Sequence, residues 1–332
     1  MLGSPWEPSD PPPRMHPSQS PDALVAPLRA EVLSGASVVA RRAADALARA
    51  AAAAPAEGIP ELRGAMADLG LRMLDAQPAM APLVALVGEV LGAMDGAEDV
   101  RAARAAALGA ARSFRESLER RAAALAERTA ALLPEEGAIL TLSSSSSVRD
   151  ALLRRARAGG VEVFVLESRP LQEGHLLAAE LARAGIRVTV AVDAAAAALV
   201  HRSSMVLLGA DSVGDLGVVN KLGSAAAAQA AGRAGVPVLV STDGTKILPP
   251  GFPQDVADDR PPEEVLRAPA GVKVWNRYFE AVPLEDVTRL VTDTAAFGPG
   301  ELAAHRAGMR LSDEVRAWAE RRRKIHPEGG RG

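Results

Sequence analysis

The chain has 332 residues, 48% of them hydrophobic and 24% charged, with a formal net charge of -3. It is long enough to bury one large core or two linked ones, its near-neutral balance makes nucleic acid an unexpected partner, and the lack of cysteine excludes disulfides, thiolate metal sites and a cysteine nucleophile. No apolar run approaches the ~20 residues of a membrane span and no basic-then-apolar leader opens the chain, so a soluble, cytoplasmic protein without a membrane partner is expected.

Residues 1–21, MLGSPWEPSDPPPRMHPSQSP, are rich in proline and serine and read as a disordered tail, because they hold too little apolar surface to offset ordering entropy. Residues 22–133 read as a helical domain of five helices, from LVAPLRAEVL to the long VRAARAAALGAARSFRESLERRAAALAERTAALL. Alanine favours helix almost everywhere here, so apolar periodicity is a blurred guide and β-branched runs carry more information. From Pro134 such runs alternate with helix-length segments: AILTL, VEVFVLES, IRVTVAVD, MVLLGAD, VPVLVSTD and RLVTD. Runs of five to eight apolar residues covered on both sides predict a parallel sheet of βαβ units, an α/β Rossmann-like domain over residues 134–310. Residues 311–332 read as a basic C-terminal helix and tail, a charge run that usually serves as a solvated face.

In an open parallel sheet the ligand crevice lies beyond the carboxyl ends of the strands. Five runs end at Glu167, Asp193, Asp211, Asp243 and Asp293, and the first ends in ILTLSSSSSVRD, where Ser143, Ser144 and Ser145 meet a helix start. Free N–H groups and the helix dipole favour an anion there, and small hydroxyl side chains let a phosphate approach. The plainer reading is that the serines are a permissive turn with an N-cap, and that each acid only caps the next helix.

No G-x-G-x-x-G follows a strand and no GxxxxGK[ST] occurs, so no nucleotide fingerprint supports a cofactor, and none is expected. The five histidines lack metal spacing, so no metal is expected either. The dense segment is LLGADSVGDLGVVNKLGS, residues 207–224. Asp211 ends a strand, a glycine-bearing loop follows, and Asn220, Lys221 and Gly223 read as entering the next helix. Lysine offers a point charge for phosphate and asparagine a paired donor and acceptor for sugar hydroxyls, which predicts an anion or polyol site.

That segment resembles the motif of the family that holds the alpha, beta and delta subunits of initiation factor 2B together with methylthioribose-1-phosphate isomerase and ribose-1,5-bisphosphate isomerase. LSGAS (33–37), AQPAMAPL (76–83), ILTLSSSSS, VLESRPLQEG (165–174), TVAVDAAA (189–196), STDGTKILP (241–249) and NRYFEAVPLEDVTRLVTD (276–293) follow in the family's order. The resemblance implies a helical N-terminal domain on a Rossmann-like domain similar to ribose-5-phosphate isomerase and CoA transferases, and a homodimer or higher oligomer. It also implies the isomerases' catalytic cysteine–aspartate pair and substrate-holding asparagine–lysine pair.

Carried over, the aspartate falls on Asp211, the asparagine and lysine on Asn220 and Lys221, and the cysteine on Ser143. A thiol exchanges protons near neutral pH, whereas a serine hydroxyl needs an activating base. Two arginines of the isomerases' helical half fall on Ser34 and Gln77, the histidine before the cysteine on Leu142, and a later proline on Arg277.

The sequence therefore predicts Asp211 and Ser143 at the catalytic positions and Ser144, Ser145, Glu167, Arg169, Asn220 and Lys221 around the ligand. Because cysteine and two arginines are replaced, the leading expectation is a factor-2B-like protein that binds a sugar phosphate or nucleotide in a regulatory role. The alternatives are an aldose-1-phosphate to ketose-1-phosphate isomerase using Asp211, and an interaction subunit; fold does not choose among them.

Overall fold

The computed structural model describes residues 20–30, 36–78, 80–157, 159–254, 256 and 259–325. The disorder expected for residues 1–21 falls outside the described residues except at its last two positions, where Ser20 Oγ accepts from the Ala23 N–H and Pro21 opens the first helix.

Five helices come first: α1 (Pro21–Arg29), α2 (Ala36–Ala53), α3 (Ile59–Ala76), α4 (Ala81–Ala93) and α5 (Val100–Leu132). Local chemistry sets their starts. Proline stands in the first turn of α3 and α4, and Asp99 Oδ1 accepts from the Ala102 N–H at 2.6 Å to cap α5. Ala103, Ala107 and Ala111 recur every fourth residue on α5, fully buried, and give α2 a shallow surface to pack on. Further along, Leu125 of α5 belongs to a different core, beneath the sheet. At 33 residues α5 is about 50 Å long, enough to join the two layers.

The sheet strands are β1 (Gly137–Leu142), β2 (Val161–Leu166), β3 (Arg187–Ala191) and β4 (Met205–Leu208), then, after a hairpin of β5 (Ser212–Gly214) and β6 (Gly217–Lys221), β7 (Val238–Ser241). β8 (Phe279–Val282), β9 (Arg289–Val291) and β10 (Ala296–Phe297) complete the set. Seven strands form the main sheet in the order β10-β9-β7-β4-β1-β2-β3, all neighbours parallel except β10 against β9. The predicted parallel α/β sheet is present, with all six predicted runs in it.

The helices α6 (Ser146–Ala156), α7 (Glu173–Arg183), α8 (Ala196–Val200) and α9 (Ser224–Ala234) cover its two faces. Strand residues alternate between them. Leu140, Phe164, Val206 and Val240 pack with Leu199 of α8 and Ala227 of α9, while Ile139, Val163, Leu207 and Leu239 pack with Val148 of α6 and Leu177 of α7. Side chains of period two buried on both faces explain why the runs read as continuously apolar.

Two features depart from the sequence reading. β5, β6 and β8 make a small antiparallel sheet, and Asn220 and Lys221 lie in β6 instead of entering a helix; α9 begins only at Ser224. β6 pairs with β8, some sixty residues later, and that long-range pairing supplies the extended conformation that a short Gly-Val-Val-Asn-Lys run does not specify alone. After α10 (Pro299–Ala307), α11 (Asp313–Ile325) returns to the helical layer: Val315, Trp318 and Ala319 join its core, and Trp318 stacks on Phe252 at 5.8 Å. Among the described residues no helix is long and apolar enough to cross a membrane.

Candidate functional site

The strand order reverses between β1 and β4, and the carboxyl edge at such a reversal is where an open parallel sheet places its ligand crevice. The β1 loop carries Ser143–Ser145 and the β4 loop carries Gly209–Asp211. β6 brings Asn220 and Lys221 alongside: a Cβ placed on Gly209 would lie 2.5 Å from Ser145 Oγ and 3.7 Å from Asn220 Oδ1. Glycine at 209 is thus what lets the serine loop, the β4 end and Asn220 converge.

Three non-glycine residues among those described have positive φ, Ser143 (62°), Ser168 (64°) and Gln172 (57°), all in loops at this edge. Left-handed backbone costs a non-glycine residue about 1 kcal/mol or more and persists where surroundings enforce it. Here the enforcement is visible. The Ser143 N–H donates to Ser168 Oγ at 2.7 Å, and Asp193 accepts from the Ser168 and Arg169 N–H groups at 2.7 and 2.8 Å.

The five strand-end acids separate on inspection. Asp193 holds that loop, Asp243 caps the turn at Gly244–Lys246, and Asp293 accepts from the Gly244 N–H at 2.8 Å and pairs with Arg121 at 3.3 Å. Glu167 has a 3.9 Å approach to His175. The Asp211 carboxylate has neither a hydrogen bond nor an ion pair among the described residues. Its protein surroundings desolvate it and push its pKa up, a tendency opposed by Lys246 and Lys221. Lys246 donates to the Ala210 carbonyl at 2.6 Å, which holds its charge beside Asp211.

The serines do not cap as the plainer reading expects. Ser145 is the N-cap residue of α6 but makes no side-chain capping bond; its Oγ is 2.9 Å from Ser147 Oγ, and Ser147 donates to the Ser241 carbonyl at 2.9 Å. The first turn of α6 thus receives no side-chain cap from Ser145.

Lys221 is 3% exposed, paired with Glu173 at 2.6 Å and set over the Tyr278 ring at 4.5 Å. Arg260 lies over the same ring at 4.6 Å, and the Tyr278 hydroxyl donates to Glu264 at 2.6 Å. Burial, then the Glu264 carboxylate, pushes the phenol pKa up. Sequence reading did not single out Glu173, Tyr278, Lys246 or Ser168, since each acts through a partner distant in the chain. The one visible signal was their place inside the quoted family stretches.

Arg169 is exposed, with one guanidinium N–H on the Val265 carbonyl at 3.3 Å, and Ser144 is exposed beside Ser143. Gln77, which stands where the resemblance places an arginine of the isomerases, donates to the Leu28 carbonyl at 2.6 Å. Ser34 lies outside the described residues. No cluster of acid or histidine ligands suited to a metal occurs among the described residues.

A helical layer leading into a parallel sheet whose order reverses between β1 and β4 defines an α/β fold class of protein. The model of the initiation factor 2 subunit family matches residues 32–299, and the chain belongs to that family. It is 29% identical to the ribose 1,5-bisphosphate isomerase of Archaeoglobus fulgidus over 285 residues, 82% of this chain and 88% of that protein. It is 33% identical to the methylthioribose-1-phosphate isomerase of Desulforudis audaxviator over 262 residues, covering 72% and 73% of the two chains. Among solved structures, the tetrameric eIF2B-beta2-delta2 complex from C. thermophilum shares the fold, with a TM-score of 0.71 at 20% identity over 87% of this chain and 93% of that one.

Proposed function

We propose that the protein is an aldose-1-phosphate to ketose-1-phosphate isomerase. The observation that carries this reading is Asp211: among the described residues its carboxylate has neither a hydrogen bond nor an ion pair, it is desolvated at the switch point, and the charges of Lys246 and Lys221 act on it. The likeness to isomerases of both named types over most of the chain supports it and ranks catalysis above the regulatory reading that the sequence favours by itself.

The chemistry is internally balanced and needs no cofactor. The bond from C1 to the ring oxygen breaks and that oxygen gains a proton; a hydrogen moves from C2 to C1, and the C2 hydroxyl proton leaves as the ketone forms. Asp211 supplies the acid–base group, its pKa pushed up by burial against the opposing pull of Lys246 and Lys221. The α6 N-terminus and Lys221 bind phosphate, and Ser144, Glu167 and Arg169 line the approach. Ser143 donates or accepts a hydrogen bond but cannot match a thiol's proton exchange, so turnover is slower than with cysteine there.

In this reading residues 22–133 form a helical domain, 134–310 the ligand domain and 311–332 a basic C-terminal helix and tail whose helix α11 packs on the helical domain, and the protein works as a cytoplasmic homo-oligomer. The test is phosphorus NMR of purified protein with ribose 1,5-bisphosphate and with methylthioribose 1-phosphate, alongside Asp211→Asn. Conversion of one compound, lost in the variant, is expected. No conversion of either, or an unchanged rate in the variant, overturns the assignment.

A further inference from the structure

Ile247 and Leu248 are neighbours in the chain, yet Ile247 packs in the sheet core with Ala227, and Leu248 packs in the helical core with Phe252 and Trp318. Residues 247–254 therefore belong to both layers. They also grip the turn of the β5–β6 hairpin. The Leu248 N–H donates to the Val213 carbonyl at 2.8 Å, the Gly251 N–H to Asp215 at 2.7 Å, and the Leu216 N–H to Gln254 Oε1 at 2.8 Å. A Cβ on Gly214 would lie 2.5 Å from the Gln254 side chain, so the turn sits directly on it.

The C-terminal helices fasten this junction from outside. The match to the family model ends at residue 299, where α10 begins. From α10, Arg306, 7% exposed, donates to the Leu248 carbonyl at 2.7 Å and pairs with Asp215 in the hairpin turn. Its planar fork serves both acceptors at once, which the point charge of a lysine does not reproduce. From α11, Trp318 stacks on Phe252 and bonds to Asp75 of α3, and Glu314 pairs with Arg63, also of α3. Side chains of α10 and α11 thus join α3, the junction and the hairpin turn.

We infer that α10 and α11 form a strap through which the helical layer sets the order of the β5–β6 hairpin, and with it the strand that carries Asn220 and Lys221. The strap acts on conformation alone, so it stands whichever reaction the crevice supports. Its opening is local: Asp215 is half exposed and can turn to water, while Arg306 gives up a charge-assisted bond in a buried setting.

Amide hydrogen exchange of the full chain, followed by mass spectrometry, tests this without a ligand. Arg306→Lys should speed exchange about 10- to 100-fold in peptides covering residues 212–221, with β1 and β2 unchanged. Trp318→Phe keeps a ring against Phe252 and removes only the bond to Asp75, so an effect on the hairpin must pass through the strap; exchange there should rise about threefold. Circular dichroism melting confirms that each variant is folded. Should Arg306→Lys fail to fold, Asp215→Asn weakens the same pair from its half-exposed end and gives the same reading.

Hairpin exchange that is unchanged in Arg306→Lys, or raised equally in β1 and β2, overturns the strap, as does a Trp318→Phe effect confined to α3 and α11. Faster hairpin exchange in both variants sustains the strap even where the protein converts no sugar phosphate. Conversion with unaltered exchange sustains the isomerase assignment and removes the strap.

Discussion

Lys221 Nζ lies 2.6 Å from Glu173 Oε1, while Glu173 Oε2 is buried without a partner among the described residues. The lysine's charge is thus already neutralised before a ligand arrives, and an anion entering the crevice competes with Glu173 for it. Replacing the carboxylate leaves a nearly buried ammonium uncompensated, which is costly unless another anion takes its place.

Glu173→Gln should accordingly lower the stability of the free protein by about 1–3 kcal/mol. Millimolar inorganic phosphate should recover much of it. Thermal denaturation with and without phosphate is the check, and an equal loss under both conditions would separate Lys221 from anion binding.

Asp211 carries a raised pKa, so the folded state holds its proton to higher pH than the unfolded chain does. Stability then falls as pH climbs from the ordinary carboxylate range through the folded pKa, and the full cost is present above it. Asp211→Asn should therefore melt higher than the wild type near pH 7, a gain that shrinks as pH falls into the ordinary carboxylate range. A gain independent of pH would mean that desolvation of Asp211 is not its origin.

The chain contains one tyrosine, Tyr278, so its ionisation can be followed by ultraviolet absorbance without interference from another phenol. Burial and Glu264 hold the proton on, and the wild type should show no tyrosinate through the ordinary range near 10. Glu264→Gln removes the neighbouring charge and should bring ionisation down in pH. If both titrate alike, the hydrogen bond to Glu264 at 2.6 Å contributes nothing measurable.

Trp318 stacks on Phe252 and donates its indole N–H to Asp75 Oδ1 at 2.8 Å, so it ties α11 to the helical layer. Trp318→Ala removes a large buried side chain and should cost about 3–5 kcal/mol. Urea unfolding reads this directly. A loss under about 1 kcal/mol would mean that α11 rests on the layer without stabilising it.

Each strand of the parallel core was legible because it is short, β-branched and bracketed by turn residues, a local pattern that needs no knowledge of neighbours. The small sheet was not, because β5 and β6 have three and five residues and become strands only when β8 pairs beside them. The reading of Asn220 and Lys221 as helical failed for the same reason.

The candidate site divides similarly. That acids and serines collect at the strand ends follows from order along the chain, since every strand of a parallel sheet points its carboxyl end the same way. Which acid is left unbonded does not follow from it. Asp193 and Asp211 look alike in sequence, and only the fold gives the first two backbone N–H donors and leaves the second facing two lysines. Residue type and spacing determined the layers and the edge where the serines and acids collect. The tertiary structure decided which groups pair and which are desolvated, because those depend on distances between groups that the chain brings together from far apart.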